Sequence, residues 1–109
     1  MVQEVQAVLV LTTVPDDASA ETLARTLVDE KLAACVNVLP PMVSIYRWKG
    51  EIERSVERQL VIKTTRALVS ALEARLRELH SYELPEFVVL SIDRGASAYL
   101  DWVRDQVTS

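Results

Sequence analysis

The order of elements written into this 109-residue chain predicts an α+β fold. It is a ferredoxin-like βαββαβ sandwich with a long central hairpin and a C-terminal helix. Three observations predict it. Aliphatic, β-rich runs alternate with segments whose leucines recur at helical spacing. Val10-Leu11-Thr12-Thr13 and Ile62-Lys63-Thr64-Thr65 each end a strand and lead into a helix, a faint internal echo of two βαβ halves. A turn at Gly50 joins two extended arms between those halves.

Each element follows from its residues. Val5 to Thr13 is nearly continuous in apolar residues, as in a strand covered on both faces. Pro15-Asp16-Asp17 ends it, and Asp16, Asp17 or Ser19 caps the next helix. There Leu23, Ala24, Leu27, Val28 and Leu32 form a stripe opposite Glu21, Arg25, Asp29 and Glu30. A strand from Cys35 to Leu39 is interrupted by Pro40-Pro41, since neither proline can donate to a sheet ladder. Met42 to Lys49 runs out, Gly50 turns the chain, and Glu51 to Thr65 runs back. In the return arm Ile52, Val56, Leu60 and Ile62 alternate with polar residues.

At ~3.3 Å per residue that arm would reach roughly 50 Å. A compact domain of this size has a radius of gyration near ~13 Å. The hairpin is therefore either bent by a bulge or protrudes. A protruding arm carrying Ile45, Tyr46, Trp48, Ile52 and Val56 needs something to bury against, and a second copy of the chain is the simplest partner. Leu68, Val69, Leu72, Leu76 and Leu79 mark a second helix, Phe87 to Ile92 the last strand, and Ser97 to Val107 a closing helix with Tyr99, Leu100, Trp102 and Val103. No linker divides the chain, so residues 1–109 read as one domain.

Composition excludes several classes. The chain is 50% hydrophobic and 26% charged, which is globular. A formal charge of −4 argues against nucleic acid as a partner. The longest unbroken apolar run, Ala7 to Leu11, is too short for membrane insertion. The single cysteine fits a reducing, cytoplasmic setting.

The polar residues gather at His80-Ser81-Tyr82-Glu83-Leu84-Pro85-Glu86, where a helix gives way to a strand. His80 reads either as a metal ligand or as a helix C-terminal residue favoured by the helix dipole. Cys35 reads as a small buried hydrophobe or as a soft thiolate for copper. Lys63 either snorkels to a sheet edge or joins Glu57, Glu83 or Glu86 in an anion-binding cleft. Tyr46 and Trp48 alternate on one hairpin face and suit packing or subunit contacts. The run Glu51, Glu53 and Glu57 reads as a solvated strand face. Glu83 and Glu86 could form an acid–base pair, yet no nucleophile, phosphate loop, Cys-x-x-Cys or His-Glu-x-x-His accompanies them. The chain is not expected to be an enzyme or to carry an organic cofactor.

Five ordered motifs carry a resemblance. These are Lys31-Leu32-Ala33-Ala34-Cys35-Val36-Asn37, Tyr46-Arg47-Trp48-Lys49-Gly50-Glu51-Ile52, Gln59-Leu60-Val61-Ile62-Lys63-Thr64-Thr65, His80 to Glu86, and Tyr99-Leu100-Asp101-Trp102. Together they resemble the divalent-cation tolerance (CutA) family over nearly the whole chain. The resemblance implies a PII-like homotrimer with hairpins exchanged between neighbours, and a link to tolerance of copper and other divalent metals. Metal-binding relatives can present a cysteine at the end of the first strand and two histidines before the tyrosine, where this chain has Thr12, Leu79 and His80. The resemblance places Cys35, Lys63, Tyr82 and Glu86 in a polar cleft between subunits.

The expectation is therefore a homotrimer that responds to Cu(II) or another divalent cation. His80, Cys35, Glu83 and Glu86 are the candidate ligands, Lys63, Tyr82 and Glu57 line the cleft, and Tyr46, Trp48 and Ile52 sit in the interface. Two alternatives stand beside it: a PII-like sensor of a small anionic metabolite, and a trimeric scaffold that anchors another protein.

Overall fold

A computed structural model describes residues 6–108. The elements are β1 (Ala7–Pro15), α1 (Ser19–Asp29), β2 (Cys35–Val38), β3 (Met42–Trp48), β4 (Glu51–Thr65), α2 (Val69–Leu79), β5 (Val88–Ser91) and α3 (Ser97–Val107), with a short 3-10 turn at Arg66–Leu68 before α2. All strand pairs are antiparallel, in the order β2-β4-β1-β5. The 15-residue strand β4 organises the sheet: on one side it pairs with β1 along Glu57–Thr65, and on the other with β2 and β3 in succession. Pro40 and Pro41 fall at the step between β2 and β3, where no ladder bond is asked of them.

The pairing of β3 with β4 runs without interruption from Met42 opposite Glu57 to Trp48 opposite Glu51. The hairpin protrudes, giving the molecule extents of 52 × 26 × 24 Å. Lys49 and Gly50 close its tip with φ of 50° and 83°, the two positive values a type I′ turn requires.

Strands β2, β3 and β5 end within one residue of the sequence reading, whereas β1 and α1 differ more. Strand β1 continues through Val14 and Pro15 because both face Arg58 and Glu57 of β4; Val5 lies outside the described residues. Helix α1 stops at Asp29, short of Leu32. Lys31 turns left-handed there (φ 59°), and the amide of Leu32 donates back to the Leu27 carbonyl. At the other end of α1 the Asp17 carboxylate accepts from the Ser19 amide, so of the three candidates Asp17 supplies the turn that starts the helix.

Alternation along the strands assigns the sheet faces. Val8, Val10, Val14, Leu60 and Ile62 point toward α1 and α2 and pack on Leu23, Leu27, Leu72 and Leu76. Arg75 of α2 clamps Glu30 just beyond α1 with two hydrogen bonds of 2.8 and 2.7 Å. Helix α3 caps one end of the sheet, with Val103 and Val107 against Ala7 and Ala34. On the opposite face Leu11 meets Val61 and Val88, and Leu9 meets Leu90, in register. Val88 and Leu90 remain exposed there.

The core holds one defect. Thr64 is buried and its hydroxyl donates to the Leu32 carbonyl, whereas the buried Thr12 hydroxyl has no partner among the described residues. A buried hydroxyl without a partner costs about 1–3 kcal/mol. Thr12→Val keeps the shape and removes the defect, so unfolding in guanidinium should show a gain of about 1 kcal/mol. A loss would mean that the hydroxyl has a partner in the assembled protein.

Candidate functional site

The hairpin base and the loop from His80 to Glu86 enclose a groove of about 770 Å³ on the open side of the sheet. Its floor comes from β4. Residues 57 and 59 point away from the helices because they are out of phase with Leu60 and Ile62. Glu57 is only 7% exposed, which corrects its reading as part of a solvated face. The pleat buries it where the returning loop lies over the hairpin base. Its neighbours Glu51 and Glu53, nearer the tip, are exposed as expected.

The loop is tied to this floor. The Tyr82 hydroxyl donates to Glu57 Oε2 at 2.8 Å. Burial first, and then the bond to the Glu57 carboxylate, push the Tyr82 phenol well above its ordinary range, so it stays a donor. Gln59 Nε2 donates to the Thr12 carbonyl at 2.7 Å and to Glu86 Oε2 at 3.0 Å. Gln59 was the residue missed from sequence. Its phase with Glu57 along β4 was the available signal.

His80 ends α2, its amide bonded to the Leu76 carbonyl at 2.8 Å. Its Nε2 lies 2.7 Å from the Thr13 carbonyl, so that nitrogen carries the proton. Nδ1 then accepts the Tyr82 amide at 3.1 Å. Both ring nitrogens are occupied within the chain, and a metal at His80 must displace one of these bonds.

The remaining candidates divide between two places. Glu83 stands at the groove mouth, its carboxylate 3.9 Å from the Lys49 ammonium, which also lies 5.7 Å over the Trp48 ring. Tyr46 lines the same groove, its hydroxyl 2.9 Å from Ser55 Oγ. Cys35 and Lys63 oppose each other at the far end of β4. The Lys63 ammonium lies 5.7 Å over Tyr99 of α3. Lys63 is six positions along the strand from Glu57, about 20 Å. One chain therefore does not bring Lys63 to Glu57, Tyr82, Glu83 or Glu86, nor Cys35 to His80. The interface candidates also split: Tyr46 and Trp48 face the groove, while Ile52, opposite Arg47, lies on the other hairpin face. Among the described residues no group of three or more His, Cys, Asp or Glu is placed to hold a metal ion.

Residues 8–106 match the model of the CutA1 divalent ion tolerance protein family. The chain belongs to that family. It is 47% identical over 97 residues to the divalent-cation tolerance protein CutA of Thermus thermophilus, covering 89% of this chain and 94% of that one. Identity to the CutA homolog of Xenopus laevis is 50% over 95 residues, 87% of this chain but 63% of that longer protein. The crystal structure of CutA from Xylella fastidiosa superposes with a TM-score of 0.90 at 45% identity, covering 94% of this chain and 98% of that one. A periplasmic divalent cation tolerance protein CutA from Archaeoglobus fulgidus superposes equally well, with a TM-score of 0.90 at 32% identity over 94% and 99% of the two chains. The ferredoxin-like α+β architecture read from the order of elements is thus the observed one.

Proposed function

We propose that this protein is a homotrimeric, non-enzymatic binding protein of divalent-metal response, with the ion, Cu(II) foremost, held where copies meet. The split of the candidate ligands carries this reading. Cys35 and Lys63 lie at one end of β4 and Glu57, Tyr82, Glu83 and Glu86 at the other, so a cleft containing both sets needs two chains. The uncovered sheet face and the apolar hairpin supply the contact surface such an assembly requires. The CutA relatives are named for divalent-cation tolerance, which supports the choice of ligand. The lone cysteine supports a cytoplasmic setting, and no helix among the described residues is long and apolar enough to cross a membrane. An anionic metabolite finds less support, because in such a two-chain cleft Glu57, Glu83 and Glu86 outnumber the one Lys63 that would attract it.

Light scattering should give a trimer, and calorimetric titration of the tag-free protein with Cu(II) should saturate at a fixed number of sites per trimer. His80→Ala should lose that binding. Equal, weak binding in both proteins would remove His80 from the metal site, and a monomer at micromolar concentration would overturn the two-chain cleft.

A further inference from the structure

We propose that the outer hairpin carries two faces made for each other, the arginine face of one copy packing on the glutamate face of the next. This deepens the homotrimer proposed above, on which it rests, and does not involve its metal.

The β3–β4 ladder sorts the arm's side chains by charge. Residues opposite each other share a face, and the faces alternate from rung to rung. One face carries Ile45 opposite Arg54 and Arg47 opposite Ile52. The other carries Tyr46 opposite Glu53 and Trp48 opposite Glu51. On these outer rungs the first face is therefore wholly positive in its charges and the second wholly negative. Arg47, Arg54, Glu51 and Glu53 are all exposed. Among the described residues none of them makes an ion pair, and Arg47 reaches only the Gly50 carbonyl, at 3.4 Å.

Burial of the isoleucines decides what must meet the first face. Ile45 and Ile52, each 70% exposed, share it with the arginines, so a partner that covers one pair covers the other. A guanidinium taken out of water alone is costly, whereas one paired with a carboxylate keeps its hydrogen bonds. The partner surface must then offer apolar area and carboxylates together. The second hairpin face does, with Tyr46 exposed beside Glu53. The spacings also agree. Arg54 and Arg47 stand two rungs apart, as do Glu53 and Glu51, about 7 Å along the arm in each case.

The two faces lie on opposite sides of one ribbon, so a single two-fold contact cannot use both. It would set like face on like face, arginine against arginine or glutamate against glutamate. Packing unlike faces is a head-to-tail contact, and such contacts close into rings. The charge pattern thus favours a cyclic trimer over a two-fold dimer.

The test is charge reversal followed by charge exchange. The reversed chain carries Arg47→Glu and Arg54→Glu; the exchanged chain adds Glu51→Arg and Glu53→Arg. Both are compared with wild type by sedimentation over a dilution series, after circular dichroism has checked each fold. The reversed chain should show a dissociation constant at least about a hundredfold above wild type, since like charges now meet. The exchanged chain, identical to wild type in composition, should return to within about tenfold of it. Co-expressed with wild type, an affinity-tagged exchanged chain should be captured as trimers of its own kind only, because every mixed ring sets like charges together at two contacts. Should the reversed chain fail to fold, or wild type hold together throughout the dilution, that capture still decides. A wild-type trimer matched in strength by the folded reversed chain would overturn the proposal and leave the trimer standing. A folded exchanged chain that stays dissociated would do the same, as would capture of mixed trimers. A monomeric wild type would overturn the two-chain cleft along with it.

Discussion

Ile62→Ala is expected to destabilise the fold by about 3 kcal/mol, lowering the melting temperature by roughly 15 °C. Ile62 is fully buried at the point where β4 faces Val10 of β1 on one side and Val36 of β2 on the other. Its side chain lies in the same core cluster as Leu27 of α1 and Leu72 and Leu76 of α2. Truncation removes apolar burial and leaves a cavity that three rigid neighbours cannot collapse into. Guanidinium unfolding at matched protein concentration is the suitable measurement, because the proposed assembly would add a concentration-dependent contribution to stability. A loss below about 1 kcal/mol would show that the helices settle onto the gap and that the core is less tightly interlocked than its burial indicates.

The second large effect concerns assembly. Ile45 and Ile52 are each 70% exposed on the hairpin face away from the groove, beside Val43 and Val56. Replacing both isoleucines with aspartate is expected to raise the dissociation constant of the proposed trimer by at least about a hundredfold, since two charges would have to leave water on association. The monomer should tolerate the change. Ile45 faces Arg54 and Ile52 faces Arg47, so each new carboxylate gains an opposite charge across the ladder. Sedimentation over a dilution series separates the outcomes. A trimer that persists undiluted in strength would move the interface to the open sheet face alone.

The sequence made the architecture legible wherever periodicity or a chain breaker spoke for itself. Leucines in α1 and α2, the prolines at 40 and 41, and Gly50 each marked an element or its end. The end of α1 was less legible, because Leu32 continues the apolar stripe although Lys31 has already turned left-handed. The groove was half legible. The cluster from His80 to Glu86 announced a polar junction, and Tyr82, Glu57 and Glu86 do meet on it. Long-range contacts were hidden: that His80 spends both nitrogens on Thr13 and Tyr82, and that Gln59 reaches Thr12 and Glu86, depends on register between distant strands. Lys63 and Cys35 were read as cleft residues from a family pattern that does not say which chain each comes from. Only the lengths between them along β4 separate the two ends.

The succession of β2 and β3 along a single partner strand makes the hairpin a module of adjustable reach. Below Glu57, β4 is fixed by β1 on one side and β2 on the other; above it, only β3 holds the strand. Residues added in matched pairs near the tip, two on each arm, would lengthen the arm by about 7 Å and keep every side chain on its present face. The Lys49-Gly50 turn would travel outward unchanged, and nothing in the helical layer would register the insertion. Arm length is thus free to vary independently of the fold that carries it, and in the proposed assembly it would set the distance at which one copy grips another.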